Sequence, residues 1–276
     1  MFQEAIIPLD QWVTVLVDWL VDNHREFFQM LKWPVEQLLN GFEHGLNNLH
    51  PTIVIAVVCL VAWKFSGKRL AIFSLASMLL VGFLGLWEDT MITLAMVLSS
   101  VVICGLLGVP LGIMAGRSDR FQTYLRPVLD AMQTTPAFVY LVPIVMLFSV
   151  GNVAGVLATI IFALPPIIRL TSLGIRQVHP ELVEAAQAFG ATRWQVLVKV
   201  QIPLAMPTIL AGLNQTIMMA LSMVVIAALI GAGGLGSPVI LGLNTLDIGR
   251  AVVGGLGIVL MAIVLDRITQ SMAQKK

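Results

Sequence analysis

The sequence predicts an all-α protein that crosses a membrane several times. Hydrophobic residues make up 58% of its 276 residues and charged residues only 11%, a balance that excludes an ordinary soluble domain. Long apolar runs recur along the chain, and a run of about 20 apolar residues is long enough to cross a bilayer as a helix. The net charge of +1 gives no sign of a nucleic-acid partner.

Residues 1–50 form an amphipathic tail that is too polar to cross a membrane. It is predicted to contain two helical stretches, the second over residues 26–42, each with a polar and an apolar stripe. Its three tryptophans, Trp12, Trp19 and Trp33, are typical of a membrane interface. Because its seven acidic residues outnumber two basic ones, we expect it to avoid the anionic cytoplasmic leaflet and lie on the outer surface.

Seven apolar segments follow, and each is predicted to be a membrane span. They cover residues 51–65, 70–86, 90–115, 128–149, 153–168, 205–230 and 249–265. An odd number of spans puts the two termini on opposite sides of the membrane. With the amino terminus outside, 13 of the 16 basic residues lie in cytoplasmic loops or at the carboxy terminus, as the positive-inside rule requires.

The longest polar interruption between these segments, residues 178–204, is predicted to form two short helices joined at a corner. Pro180 suits a first helical position, and Gly190 ends the first helix. Thr192 and Gln195 have the spacing of a capping box that opens the second helix, which Pro203 is predicted to end. One side of the first helix is apolar, which suits either a groove in a partner protein or a plain link between spans.

Within this stretch, three residues separate Glu-Ala-Ala from a glycine, and nine more separate that glycine from an apolar-x-apolar-Pro ending. The matching residues are Glu184, Ala185, Ala186, Gly190, Val200, Ile202 and Pro203. This pattern resembles the EAA loop of permease subunits of bacterial ABC importers, which is a coupling helix that docks into a separate ATPase subunit. The resemblance implies ATPase coupling through Glu184, Ala185, Ala186, Phe189, Gly190 and Pro203.

Polar side chains within the fourth and sixth segments are candidates for lining a path through the membrane. They are Gln133, Thr134 and Thr135 in the fourth segment, and Asn214, Gln215 and Ser222 in the sixth. Pro136 breaks the fourth segment, exposing backbone and side-chain polarity that a water-filled path tolerates. Hydrogen bonding between helices explains the residues of the sixth segment as well as a solute path does.

Two glycine patterns concern packing and bending. In the third segment, glycine recurs every three or four residues, at Gly105, Gly108, Gly112 and Gly116, which predicts the close approach of another helix. After the sixth segment, residues 231–238 read GAGGLGSP and form an outer loop that either bends as a gate or simply turns.

Longer stretches resemble one family of importers. They are QTTPAFVYLVP at 133–143, FALPPIIRLTSLGIRQV at 162–178, KVQIPLAMPTILAGLNQTIMMALSMVVIAALIGAGGLG at 199–236 and LDRITQ at 265–270. They are similar to the glycine betaine/proline betaine importers. The resemblance implies a type I ABC permease core over residues 90–270, two accessory helices within 51–89, the extracytoplasmic tail 1–50 and a cytoplasmic tail 271–276.

The implied assembly in the bacterial inner membrane has two copies of this chain, two ATPase subunits and an extracytoplasmic binding protein. Its solutes are the quaternary ammonium compounds glycine betaine, proline betaine and choline. Since no GxxxxGK[ST] loop occurs, we expect ATP to bind the partner subunit and this chain to carry no cofactor or metal and no catalysis. A permease for another small solute such as an amino acid is the first alternative. An ion-coupled transporter would need ionisable groups at mid-membrane, which the sequence lacks.

Overall fold

The computed structural model describes residues 9–274, and each regular element within that range is helical. In chain order the helices are α1 (Leu9–Asn48), α2 (Pro51–Ser66), α3 (Lys68–Phe83), α4 (Trp87–Arg117), α5 (Asp119–Thr134), α6 (Ala137–Phe148), α7 (Asn152–Arg176), α8 (Pro180–Ala188), α9 (Arg193–Val196), α10 (Ile202–Ala228), α11 (Gly236–Thr245) and α12 (Ile248–Gln274). A π-helical turn, Leu197–Gln201, joins α9 to α10. The predicted all-α class is confirmed; residues 1–8, 275 and 276 of the two predicted tails lie outside the described part.

Helix length and composition identify fewer long spans than the seven predicted. Within residues 9–274, four stretches are long and apolar enough to cross a membrane: Trp87–Arg117, Asn152–Arg176, Arg193–Ala228 and Ile248–Met272. The number rises to six if each of two bent helix pairs is one span. α2 and α3 have 16 residues each, or about 24 Å of helix, against a hydrocarbon thickness of roughly 30 Å. The count of seven is therefore not reproduced by this measure.

The centre of the bundle is α7, which packs against α4 on one side and α10 on the other. A Cβ on Gly112 of α4 would lie 2.5 Å from the Cβ of Thr171, so only glycine fits at this crossing. Gly108 and Gly116 approach α7 in the same way, whereas Gly105 has no described atom within 4 Å of its Cβ position. The predicted close approach of another helix is thus confirmed for Gly108, Gly112 and Gly116 but not for Gly105.

The long helices run between two ends, which we name the α1 end and the α8 end after the helices found there. α4 and α7 run side by side towards the α8 end, α10 returns, and α12 runs back again. α7 continues about two turns beyond its predicted limit at residue 168. Arg169, on this extension of α7, forms an ion pair with Asp130 of α5.

The predicted fourth span, residues 128–149, is two helices that meet at an angle of 97°. Thr135 has extended dihedral angles at the junction, because the proline that follows it disfavours helical geometry at the preceding residue. α6 is uniformly apolar, whereas α5 is amphipathic and Leu129 is its one buried residue. The first part of the predicted span therefore belongs to a surface helix rather than to a straight membrane crossing.

The amino-terminal tail forms the two predicted helical stretches, which meet at a kink with non-helical dihedral angles at His24 and together make up α1. The second stretch runs to Asn48, six residues beyond its predicted end. Its first half is exposed, including Trp12 and Trp19. Its second half packs on α4, α6 and α7 at the α1 end, where Val35 and Leu39 are buried. Part of the surface predicted to face a membrane is thus used to pack on protein. The 108° bend between α1 and α2 lays α1 across the ends of the long helices.

Candidate functional site

The corner predicted within the EAA stretch is present between α8 and α9. Gly190 has a φ of +81°, the left-handed conformation common directly after a helix. The N–H of Ala191 donates to the carbonyl of Ala186 at 3.1 Å and closes the turn. The predicted capping box also forms: Thr192 Oγ1 accepts from the N–H of Gln195 at 3.3 Å, and Gln195 Oε1 accepts from the N–H of Thr192 at 2.8 Å. Local backbone signals therefore fix this corner.

Pro203 does not end the second helix, so that prediction is wrong. α9 passes through the π-helical turn into α10, and residues 193–228 form one continuous helical stretch. A proline ring normally crowds the carbonyl four residues earlier, and the wider π turn at that point accommodates it. Val196 and Leu197, which are buried, anchor this junction in the bundle. The corner is thus joined rigidly to α10.

α8 itself packs on very little of the chain. None of its residues, all of which are described, is buried. Around it, the exposed apolar side chains are Leu182 (45% exposed), Phe189 (93%) and Trp194 (68%). Of the motif residues, Glu184 and Ala185 are exposed and Ala186 is half-buried. Exposed apolar side chains on a short helix are typical of a surface that contacts another molecule.

Asn214 lies against α12 and away from the other candidate path residues. Its Nδ2 donates to Asp266 Oδ1 at 3.0 Å, and its Oδ1 accepts from the hydroxyl of Thr269. Gln270 Nε2 donates to both carboxylate oxygens of Asp266, at 2.8 and 2.9 Å. Hydrogen bonding between helices, the alternative left open by the sequence, therefore accounts for Asn214. The sequence analysis did not connect Asn214 with its partners Asp266, Thr269 and Gln270, because they lie more than 50 residues further along the chain.

Gln215 and Ser222 share a different, exposed face of α10. They are seven residues apart, which brings them to the same side of a helix. The hydroxyl of Ser222 donates back to the carbonyl of Met218 at 2.9 Å, so it presents an oxygen but no free proton. No other helix among residues 9–274 of the same chain covers Gln215 and Ser222 on this face.

The candidates of the fourth segment lie at the α5–α6 bend. Gln133 is half-buried, Thr134 is exposed, and Thr135 Oγ1 donates to the carbonyl of Ala131 at 2.7 Å. The proline at position 136 leaves the carbonyl of Met132 without its helical donor. Tyr140, a residue not selected from the sequence, donates its hydroxyl to that carbonyl at 2.7 Å. A tyrosine four residues after a helix-breaking proline is the signal that would have identified it.

The glycine-rich segment after α10 is a largely buried turn fixed by side chains from two other helices, α4 and α7. Asn152 Oδ1 accepts from the N–H of Gly233 at 2.7 Å, and its Nδ2 donates to Glu43 Oε1 at 2.9 Å. Thr93 Oγ1 accepts from the N–H of Leu235 at 2.8 Å. Of the two interpretations left open, a gate or a turn, these bonds favour the turn.

The long apolar helices around a glycine-packed centre define a multi-pass membrane protein, with an exposed helical corner between two of its spans. Residues 108–276 match the family described as binding-protein-dependent transport system inner membrane component, and the chain belongs to this family. It is the permease subunit of an ABC importer and a multi-pass protein of the inner membrane.

Curated relatives cover nearly the whole chain. The glycine betaine/proline betaine transport system permease protein ProW of Escherichia coli (strain K12) is 55% identical over 273 residues, 99% of this chain and 77% of its own length. The glycine betaine transport system permease protein OpuAB of Bacillus subtilis (strain 168) is 46% identical over 270 residues, 98% of this chain and 96% of its own.

A solved structure of the MetNI methionine ABC transporter, in an inward facing conformation, has the same fold. Its TM-score is 0.62 at 21% sequence identity, and the match covers 69% of this chain and 95% of the other. An amino acid ABC transporter solved with histidines matches with a TM-score of 0.57 at 22% identity, over 67% of this chain and 91% of the other. These likenesses establish the helical architecture alone.

Proposed function

We propose that this permease carries quaternary ammonium compatible solutes of the glycine betaine, proline betaine and choline class into the cell. The support is the identity of 46% to 55% across nearly the entire chain with permeases named for glycine betaine, which extends through the spans as well as the loop. The fold does not determine the solute, since a methionine transporter shares it.

α8 is proposed to dock into a separate ATPase subunit, which binds the ATP. The observation that carries this is the exposed apolar side of α8, with Phe189 93% exposed beside Glu184 and Ala185. The corner at Gly190 and the continuous passage into α10 make the loop stiff. A displacement of α8 by the ATPase would therefore move α7 and α10 together, which is the rocking needed to switch access between the two sides.

Two copies of the chain are proposed to enclose the path. The polar face of α10 that carries Gln215 and Ser222, and the bend that carries Gln133, Thr134 and Thr135, are open within one chain and would line it. Asn214 is left out because its amide is already hydrogen-bonded to α12. An extracytoplasmic binding protein would deliver the solute, with the amino terminus outside and the carboxy terminus in the cytoplasm. Alkaline phosphatase fused after Asn23 should then be active, and after Gln274 inactive.

The experiment that tests transport and coupling uses cells that lack other betaine uptake. The complete complex should restore growth at high salt when glycine betaine is supplied and should take up labelled glycine betaine in preference to methionine. Ala185→Asp places a charge in the proposed apolar contact, where it has no partner, and should abolish ATPase association and solute-stimulated hydrolysis. Gln187→Asp, on the polar side of the same helix, is the matched control and should retain both.

The solute class and the coupling role of α8 can be contradicted independently of each other. Preferential uptake of methionine would overturn the solute class while leaving the coupling role intact. Full ATPase association and stimulated hydrolysis in Ala185→Asp would show that α8 only connects two spans.

A further inference from the structure

A cavity of about 350 Å³ lies between α5 and α7, close to the α8 end of the bundle. Its polar lining consists of Gln122, Arg126 and Asp130 from α5 and Arg169, Ser172 and Arg176 from α7. Aliphatic side chains, such as those of the buried Leu129 and Ile168, form the remaining wall. The cavity is distinct from the coupling surface of α8 and from the candidate path residues.

The arginines of the lining outnumber the carboxylates near it. Arg169 Nη2 lies 2.6 Å from Asp130 Oδ1, and Arg176 Nη1 lies 2.5 Å from Asp119 Oδ1. Arg126 is only loosely held, because its side chain is 79% exposed and its Nε is 4.0 Å from Asp130. A guanidinium carries five N–H donors, so these ion pairs leave donors for a ligand. With three arginines against two aspartates, the cavity carries an excess of one positive charge.

Ser172 lies in the wall of the cavity, on α7 between Arg169 and Arg176. The residue is 4% exposed, and its hydroxyl oxygen is buried beneath the surface that the cavity offers to a ligand. The donors available to a ligand are therefore the guanidinium groups, and these suit an anionic group that accepts hydrogen bonds.

We propose that this cavity binds a phosphate group, with the guanidinium groups of Arg126, Arg169 and Arg176 donating to its oxygens. The headgroup of an anionic phospholipid is the source that the surroundings favour. α5 is an amphipathic helix at one end of the apolar bundle, and the aliphatic wall suits the glycerol part of a lipid. The transported solute fits less well, because the described lining has no aromatic ring to hold a quaternary ammonium and its aspartate is already paired with Arg169.

The test is native mass spectrometry of the purified full-length permease in detergent, titrated with phosphatidylglycerol and with phosphatidylcholine of the same acyl chains. Phosphatidylglycerol should bind at least about tenfold more tightly. Arg126→Gln removes the most loosely held guanidinium, so the fold should persist while affinity falls about tenfold, the usual value of a hydrogen bond to a charged group.

Arg120→Gln is the matched control, since Arg120 is exposed on the same helix and lies outside the cavity lining. It makes the same change of net charge and should leave the affinity unchanged. Competition with inorganic phosphate separates the two sources of the ligand: displacement of the lipid supports recognition of the phosphate alone, and its absence supports the whole headgroup. Equal binding of the two lipids, or unchanged affinity in Arg126→Gln, would overturn the proposal. The measurement detects lipid binding and not transport, so its outcome does not depend on which solute the permease carries.

Discussion

The corner after α8 and the glycine-rich turn before α11 lie at opposite ends of α10, and each contains a glycine in the left-handed conformation. The φ of Gly190 is +81° and that of Gly234 is +85°. Around Gly190, no described atom lies within 4 Å of a Cβ position. Around Gly234, a Cβ would lie 2.5 Å from Thr93 Oγ1 and 3.2 Å from the carbonyl oxygen of Asp89. The two glycines therefore share a left-handed backbone conformation, but the corner at Gly190 is loosely packed and the turn at Gly234 is tightly packed.

This difference shows that glycine content is a poor guide to mobility in this chain. Four glycines within eight residues suggested a bending gate, yet that turn is buried and hydrogen-bonded to α4 and α7. The open surface is instead α8, whose residues favour a regular helix. We infer that α4, α7, α10 and the turn move as one body during transport. Access at the α1 end would then change by displacement of whole helices.

The largest expected effect comes from placing the same methyl group at the two left-handed glycines. In Gly190→Ala, only the backbone strain of about 1 to 2 kcal/mol applies, and it is confined to the corner. In Gly234→Ala, an overpacking cost of about 1 to 3 kcal/mol is added in the bundle interior. Thermal unfolding in detergent should therefore show a large loss of stability for Gly234→Ala and little change for Gly190→Ala.

Gly255→Ala is the control for this pair, because Gly255 lies within α12 with no described atom within 4 Å of its Cβ position. Alanine favours a helix over glycine, so this variant should be at least as stable as the parent. An equal loss of stability in Gly190→Ala and Gly234→Ala would mean that the two regions do not differ in packing.

The sequence predicted the corner well because its signals are local. Pro180, Gly190 and the pair Thr192 and Gln195 each act within one helical turn of their position, so spacing alone identifies them. The prediction for Pro203 was wrong because a π-helical turn accommodates the proline ring, next to Val196 and Leu197, which are buried in the bundle. The rule that a proline ends a helix takes no account of such packing.

Long-range hydrogen bonds escaped prediction for a related reason. Asn152 pairs with a residue 109 positions earlier and another 81 positions later, and Asn214 pairs with one 52 positions later. No spacing rule relates such positions, since they meet only after the helices have packed. The break at Pro136 was foreseen from composition, but the 97° angle between α5 and α6 depends on the contacts of α5 with α7.

A second, smaller effect is expected from removing the side chain that fixes the glycine-rich turn. Asn152→Ala leaves the N–H of Gly233 and the carboxylate of Glu43 without their partner. The unfolding free energy should fall by about 1 to 3 kcal/mol, because a partly buried N–H and a partly buried carboxylate both lose a hydrogen bond. Hydrogen–deuterium exchange should accelerate across residues 231–236 while the exchange of α8 stays unchanged.

Asn152→Asp separates the two bonds, because it keeps an acceptor for Gly233 but places a second negative charge beside Glu43. Combining it with Glu43→Gln should recover much of the loss, since the glutamine can donate to the new carboxylate. Asn244→Ala, an exposed asparagine on α11, is the control and should be neutral. Unaltered exchange of the turn in Asn152→Ala would show that close packing alone holds it.

The smallest effect is expected at the corner itself, from the loss of the capping box in Thr192→Ala. A helix cap contributes about 1 kcal/mol, so protection of the amide of Gln195 should fall about fivefold in hydrogen exchange. Because α8 packs on so little of the bundle, the midpoint of thermal unfolding should not move. Thr192→Ser keeps the capping oxygen and should behave as the parent. A drop in the unfolding midpoint as large as that of Asn152→Ala would show that the corner stabilises the whole bundle, and the contrast between the two ends of α10 would then fail.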